Sequence, residues 1–293
     1  MAISKENLSA VKKGIEFANE NKEFEFECVI KQYKDISKTQ FSNVHNYLSH
    51  SSLFSLVDVE NRNSLDITIM HTNYRISIIG SKDYSVFCQT NSFLEIQSLL
   101  LIQKGKVEEF ENINIPEMDL YFKMKSEKKV ENLSDVLPTL LNRRKYFRRK
   151  QRYSYLHKNN SFRVDLTVVK SSKTSGKLIQ ETGVLNAPDH YEIEIEYLPQ
   201  NDSKLSVNQK LDDLIEIIDF IKQELEGTSY LMTNSEKELL LCDYLKLIKP
   251  RMLSECNLDI RTFIRTDVLG SPRNYFLSYQ PVTLEQENIV PPK

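Results

Sequence analysis

The chain has 293 residues, 40% of them hydrophobic and 27% charged, with 39 Lys and Arg against 41 Asp and Glu. This is the profile of an ordinary folded protein, long enough for one large domain or one domain with an appendage. No run of about 18 apolar residues occurs and residues 1–6 lack the apolar core of an export leader, so neither a membrane span nor a signal peptide is expected. Four widely spaced cysteines form no C-x-x-C pair, which excludes a zinc ribbon and points to reduced thiols in an intracellular protein. With 7 glycines and neither G-x-G-x-x-G nor G-x-x-x-x-G-K-[ST], phosphate binding by a glycine loop is excluded as well.

In chain order, residues 4–21 show helical spacing of Leu8, Val11, Ile15 and Ala18. Residues 23–30 alternate Glu23, Glu25 and Glu27 with Phe24, Phe26 and Cys28, as a strand does when its two faces differ. A second helix is expected over 37–54, on Phe41, Val44, Tyr47 and Leu48. Residues 64–89 read as a β-meander, with Arg75 and Ser77 sharing a face and turns at Asn73 and Gly80. Residues 92–105 fit helix or strand equally. Residues 120–128 alternate weakly, with Tyr121, Lys123, Lys125 and Glu127 on one side. The most basic run, Arg143 to Arg152, leads into strand-like residues. Residues 162–170 then place Arg163, Asp165 and Thr167 on one face. After a polar loop at 171–182, Tyr191-Glu192-Ile193-Glu194-Ile195-Glu196-Tyr197 is the sharpest alternation in the chain. Residues 205–227 carry a helix stripe of Leu211, Leu214, Ile215, Ile218, Ile221 and Leu225, with Ser206 and Gln209 as a capping box and Gly227 as a stop. A last helix is expected from Asn234 to about Leu247. Residues 251–293, with Pro272, Pro281, Pro291 and Pro292, read as a linker.

The polar faces of these strands are segregated by sign. Glu25 and Glu27, with Glu192, Glu194 and Glu196, are acidic; Arg148, Lys150 and Arg152, with Arg75, Lys123, Lys125 and Arg163, are basic. The other faces are apolar and require cover, which the helices can supply. The expected fold is therefore α+β, a closed antiparallel barrel of about eight strands with helices outside and a charged tunnel inside. Carboxylates for a hard cation beside rows of Arg and Lys suit a polyphosphate chain.

At these residues the chain resembles the triphosphate tunnel metalloenzymes, in particular the metal-dependent RNA triphosphatases of fungal and large-DNA-virus mRNA capping. The likeness spans residues 23–198. It implies Glu25, Glu27, Glu194 and Glu196 as ligands of Mg²⁺ or Mn²⁺. It implies Arg75, Lys125, Arg148, Lys150, Arg152, Arg163 and Thr167 as phosphate contacts. Glu192, Glu127, Arg163 and Asp165 take catalytic roles, Glu127 and Glu192 near the attacking water and Asp165 orienting basic neighbours. The implied activity is removal of the γ-phosphate from 5′-triphosphate RNA, in the host cytoplasm or the virion if the protein is viral. Two alternatives are hydrolysis of tripolyphosphate, thiamine triphosphate or free NTP, and a non-catalytic RNA- or protein-binding barrel. The expected organisation is a tunnel domain at 1–235 and a helix with linker at 236–293, leading to a guanylyltransferase (and methyltransferase) domain or subunit. The K-x-D-G signature of guanylyl transfer does not occur in the chain.

Overall fold

Strict alternation over several strands closes a sheet into a ring. The strands are β1 (Phe24–Ile30), β2 (Phe54–Val57), β3 (Asn63–Ile69), β4 (Tyr74–Ile79), β5 (Leu99–Lys106), β6 (Ile113–Ile115), β7 (Leu120–Lys129), β8 (Lys145–His157), β9 (Phe162–Ser171) and β10 (His190–Tyr197). The protein is known here as a computed structural model that describes residues 3–31, 35–59, 62–199 and 205–248. Neighbours in the ring run β1-β10-β9-β8-β3-β4-β5-β7, and β7 pairs back onto β1, Phe24 to Ile30 facing Ser126 to Leu120. All pairings are antiparallel, and the eight-strand ring is the expected barrel. Strands β6 and β2 extend it outside, on β7 and β8. The linker expected at 251–293 lies outside the described residues.

The helices are α1 (Lys5–Glu20), α2 (Lys38–His50), α3 (Ser81–Thr90), α4 (Leu133–Leu141), α5 (Val207–Glu226) and α6 (Asn234–Ile248). The chain divides after Asn234 into two units, and the barrel belongs wholly to the first. Two apolar cores lie outside the ring. In one, Val11 and Ile15 of α1, Phe41 and Val44 of α2, and Leu214, Ile218 and Ile221 of α5 bury Phe26, Phe122, Val164, Leu166, Ile193 and Ile195. In the other, Phe87 of α3 and Leu140 of α4 pack on Leu65, Ile67, Ile76, Ile78, Leu101 and Phe147. Each such side chain contributes on the order of 1.5–3 kcal/mol by leaving water.

Helix α5 is specified locally. Ser206 Oγ accepts from Gln209 N at 3.3 Å, Gln209 Oε1 accepts from Ser206 N at 2.9 Å, and Gly227 ends the helix at φ 64°. Its buried lysines find oxygen partners on the barrel side: Lys210 Nζ donates to Tyr197 Oη at 2.7 Å and Lys222 Nζ stands 3.6 Å from Asp119. The core stripe is displaced from expectation, since Ile217 is buried whereas Leu211 and Ile215 lie at its margin.

Three expectations change. The meander at 64–89 stops after β4, and its last part is helix α3. Gly80, at φ 91°, turns the chain, and the Asp83 carboxylate then accepts from Gln97 N and Ser98 N, tying the helix to the next segment. The second helix ends at His50, and Phe54 opens β2 against His157 instead. The ambiguous stretch at 92–105 contributes strand β5.

Helix α1 lies close to the barrel because residue 14 is glycine: a Cβ there would stand 2.6 Å from Phe26 Cζ and 3.2 Å from Phe110 Cζ. At an exposed helix site Gly→Ala stabilises by about 1 kcal/mol. Gly14→Ala is expected to destabilise instead, by about 1–3 kcal/mol through overpacking, measured as a lower urea midpoint; an unchanged or higher midpoint contradicts the close packing.

Candidate active site

The ring's interior holds the charge. Alternation turns Glu25 and Glu27 of β1 inward, with Lys123, Lys125 and Glu127 of β7 and Glu192, Glu194 and Glu196 of β10. Arg163 and Asp165 of β9 and Arg148, Lys150 and Arg152 of β8 complete one wall, and Arg75 of β4 and Lys104 of β5 the other. Together they line a cavity of about 880 Å³.

Ion pairs knit this lining together. Arg75 donates to both oxygens of Glu127, at 3.1 and 2.6 Å. Glu27 lies 2.5 Å from Lys125 and also pairs with Lys123, and Arg148 pairs with Glu192. Arg163 donates to Asp165 at 2.9 Å through two nitrogens and reaches Glu196 at 2.5 Å. Bidentate guanidinium pairs hold both partners in one geometry.

Two buried aspartates recur in the same setting. Asp66 of β3 faces Ser77 of β4 in register and accepts its hydroxyl at 2.7 Å; Asp165 faces Ser154 of β8 and accepts its hydroxyl at 2.7 Å. Each bracket steadies cations of the wall. Asp66 stands 2.5 Å from Lys150 and 4.0 Å from Arg75, and Asp165 stands 3.0 Å from Arg152 in addition to Arg163. Burial alone would raise both carboxyls. Lys150 and Arg75 at Asp66, and Arg152 and Arg163 at Asp165, outweigh it and hold both below the usual range.

The acids of β1 and β10 behave differently. Glu27 faces Glu196 directly in register, a like-charge pairing that disfavours the sheet. Burial pushes Glu196 up to about 7 despite Arg163, and Glu25 adds to the rise. Glu25 itself is raised, by burial first and then by Glu127, and it makes no ion pair among the described residues. Glu194 is held low: burial is outweighed by Lys125, Lys123 and Arg152. As placed, no three His, Cys, Asp or Glu side chains among the described residues converge on one ligand point. The donor set nevertheless fits a hard divalent cation. It is four carboxylates on two adjacent strands, two of them, Glu25 and Glu196, pushed toward protonation chiefly by burial.

The model of the family described as mRNA capping enzyme, beta chain, matches residues 10–222. The chain belongs to that family. It is accordingly an RNA triphosphatase of mRNA capping, a hydrolase of acid anhydrides. Among solved structures, the RNA triphosphatase domain of a trifunctional mimivirus mRNA capping enzyme has the same fold, with TM-score 0.52 and 18% identity over 75% of this chain and 99% of that one. The S. pombe Pct1 RNA triphosphatase is more distant, with TM-score 0.43 and 12% identity over 78% of this chain and 92% of that one. No curated protein matches the chain.

In this family member, the structure brings the sequence-predicted residues to one cavity with a single exception. Thr167 does not line it: the side chain is 1% exposed, and its Oγ1 is buried without a hydrogen-bond partner among the described residues. Sequence reasoning passed over Asp66 and Ser77. The signal was present, because the alternation of Leu65-Asp66-Ile67 places Asp66 on the face opposite the isoleucines. It also left Lys123 and Lys104 without a role, although both line the cavity. Burial, then neighbouring Lys125, lowers Lys123 to about 8.

Asp66 is charged more readily in the folded protein than in the unfolded chain. Its contribution is therefore complete above the unfolded value of about 4 and is lost as pH falls through the lower folded value. Asp66→Asn is expected to lose about 3–5 kcal/mol near pH 7 by leaving Lys150 buried and unpaired. In thermal melts from pH 7 to pH 2 the gap to the wild type should close below about pH 4; a gap independent of pH contradicts the ion-pair role.

Proposed function

We propose that the tunnel takes the RNA 5′-triphosphate lengthwise and releases its γ-phosphate with Mg²⁺ or Mn²⁺ held by Glu25, Glu27, Glu194 and Glu196. The observation that carries this reading is the division of the tunnel lining. Among the carboxylates on β1 and β10, Glu25 makes no ion pair among the described residues and Glu196 is pushed up by burial although Arg163 stands 2.5 Å away, while β8 presents Arg148, Lys150 and Arg152 to the same cavity.

The cation, when bound, would neutralise phosphate oxygens and lower the pKa of a bound water. The chain's own residues do the rest. Arg75, Lys125, Arg148, Lys150, Arg152 and Arg163 donate charge-assisted hydrogen bonds to non-bridging oxygens and align the β–γ anhydride for in-line attack. The brackets of Asp66 with Ser77 and of Asp165 with Ser154 keep Lys150, Arg152 and Arg163 from reorganising as charge moves onto the leaving diphosphate. Glu192, paired with Arg148, and Glu127, gripped by Arg75, are the carboxylates assigned catalytic roles, one of them orienting the water and accepting its proton. The arginines that hold them exchange carboxylate for phosphate when the substrate binds. The phosphate contacts are assigned to the six cations and not to Thr167, whose hydroxyl has no access to the cavity as placed.

The product is an RNA 5′-diphosphate, the acceptor for guanylyl transfer. A guanylyltransferase, with a methyltransferase after it, is therefore the proposed partner, as another domain or a separate subunit.

Release of phosphate from γ-labelled triphosphate-ended RNA, titrated with Mg²⁺ or Mn²⁺, tests the reading. Glu25→Gln and Glu194→Gln should raise the metal concentration for half-maximal rate by at least about 10–100-fold. Arg152→Ala should lower kcat by about 10²–10³. A wild-type metal response in both Glu variants would remove the metal assignment, and full activity in a chelator would remove the metal altogether.

A further inference from the structure

The tunnel accommodates a triphosphate, but the nucleotides attached to it must lie outside. Strand β7 continues past the start of β1: Phe24 is level with Ser126, whereas β5 accompanies β7 as far as Lys129. Along this two-strand ribbon the tunnel face carries Lys125 and Lys129 of β7 and Lys104 and Lys106 of β5. Lys125 and Lys104 line the cavity, and the exposed Lys106 and Lys129 flank them, Lys106 level with Lys125 and Lys129 two residues beyond Glu127.

Lys106 faces Lys125 directly in register. Like charges so placed destabilise a sheet, and neither Lys106 nor Lys129 forms an ion pair among the described residues; Lys104 alone on β5 does, 3.8 Å from Glu127. Between them Gly105 brings the strands close, since a Cβ there would stand 3.2 Å from Ser126 Cβ. On this face Lys104 and Lys106 stand roughly 7 Å apart, two residues of strand, while Lys125 and Lys129 are four residues apart with Glu127, gripped by Arg75, between them. The other end of the tunnel, where β1 finishes, carries Asp35 and Tyr191 beside Lys31, with no such row among the described residues.

We infer that the ribbon of β5 and β7 is a track for the phosphodiester backbone of the first nucleotides of the RNA, with Lys106 and Lys129 as its solvent-side contacts. This rests on the tunnel being the triphosphate site. The RNA leaves the tunnel at the end where Glu25, Glu127 and Lys104 lie, and Lys106 and Lys129 neutralise phosphates of its first nucleotides. The chain length of the RNA then matters to binding, and the chemistry in the tunnel is untouched by the track.

The test is the double variant Lys106→Gln/Lys129→Gln, compared with the wild type on tripolyphosphate and on triphosphate-ended RNAs of two and twelve nucleotides over a range of salt. Tripolyphosphate hydrolysis should be unchanged. The twelve-nucleotide RNA should show a several-fold higher KM with the same kcat, and its salt dependence should weaken by about 0.7 in log–log slope per lysine removed. Thermal midpoints should stay level or rise, since a like-charge pair is relieved. Equal KM values for both RNAs in the wild type, or an unaltered KM in the variant, overturn the track. If the wild type releases no phosphate from any RNA, the tunnel reading fails instead. Fluorescence anisotropy with a 5′-hydroxyl twelve-nucleotide RNA then judges the track by itself: weaker binding by the variant supports it, and equal binding overturns it.

Discussion

Charges inside a closed ring cannot be left to water, and this requirement shapes the rest of the molecule. Glu127 is held by Arg75, Glu27 by two lysines, and Asp66 and Asp165 by cations and a serine each. Such pairs contribute modestly to stability, because desolvation offsets most of their attraction. What they supply is fixed position. A tunnel whose donors already point inward needs little rearrangement when a polyanion replaces the internal carboxylates.

Because the interior is polar, cohesion has to come from outside. The two apolar cores sit on opposite stretches of the outer wall, one under α1, α2 and α5 and the other under α3 and α4. Helix α5 is anchored at both ends by lysines that reach barrel-side oxygens, so the largest stripe of apolar cover is also held by directional contacts. Chemistry and stability thus occupy opposite faces of the same strands: Ile193 and Ile195 pack while Glu192, Glu194 and Glu196 face the cavity.

The same segregation explains what was legible in the sequence. Where a strand keeps one face apolar and one charged along its whole length, as from Tyr191 to Tyr197 or from Phe24 to Cys28, a period of two reveals both the strand and its inward residues. Strand β5 hid because its tunnel face changes character, from Leu100 and Ile102 to Lys104 and Lys106. Helix α3 hid because it is short and follows two true strands, so its polar spacing passed for a third. Asp66 stood in plain alternation but alone, and its partners Ser77 and Lys150 come together only through the pairing of β3 with β4 and β8. Register is a tertiary property. Nothing in either segment alone says that Glu27 will face Glu196 or that Lys106 will face Lys125.

The pairing of β1 with β7 closes the ring over seven consecutive positions. A ring sealed in this way has no side slot, so a chain molecule can be admitted only by threading from a free end. The fold therefore measures topology as well as charge. A phosphate run with bulk on both sides, such as one inside a cap or a bridged dinucleotide, cannot be drawn in, whatever its affinity for the lysines and arginines of the wall. With the tunnel as the triphosphate site, as proposed, discrimination between an unfinished and a finished RNA end would follow from geometry before any chemistry begins.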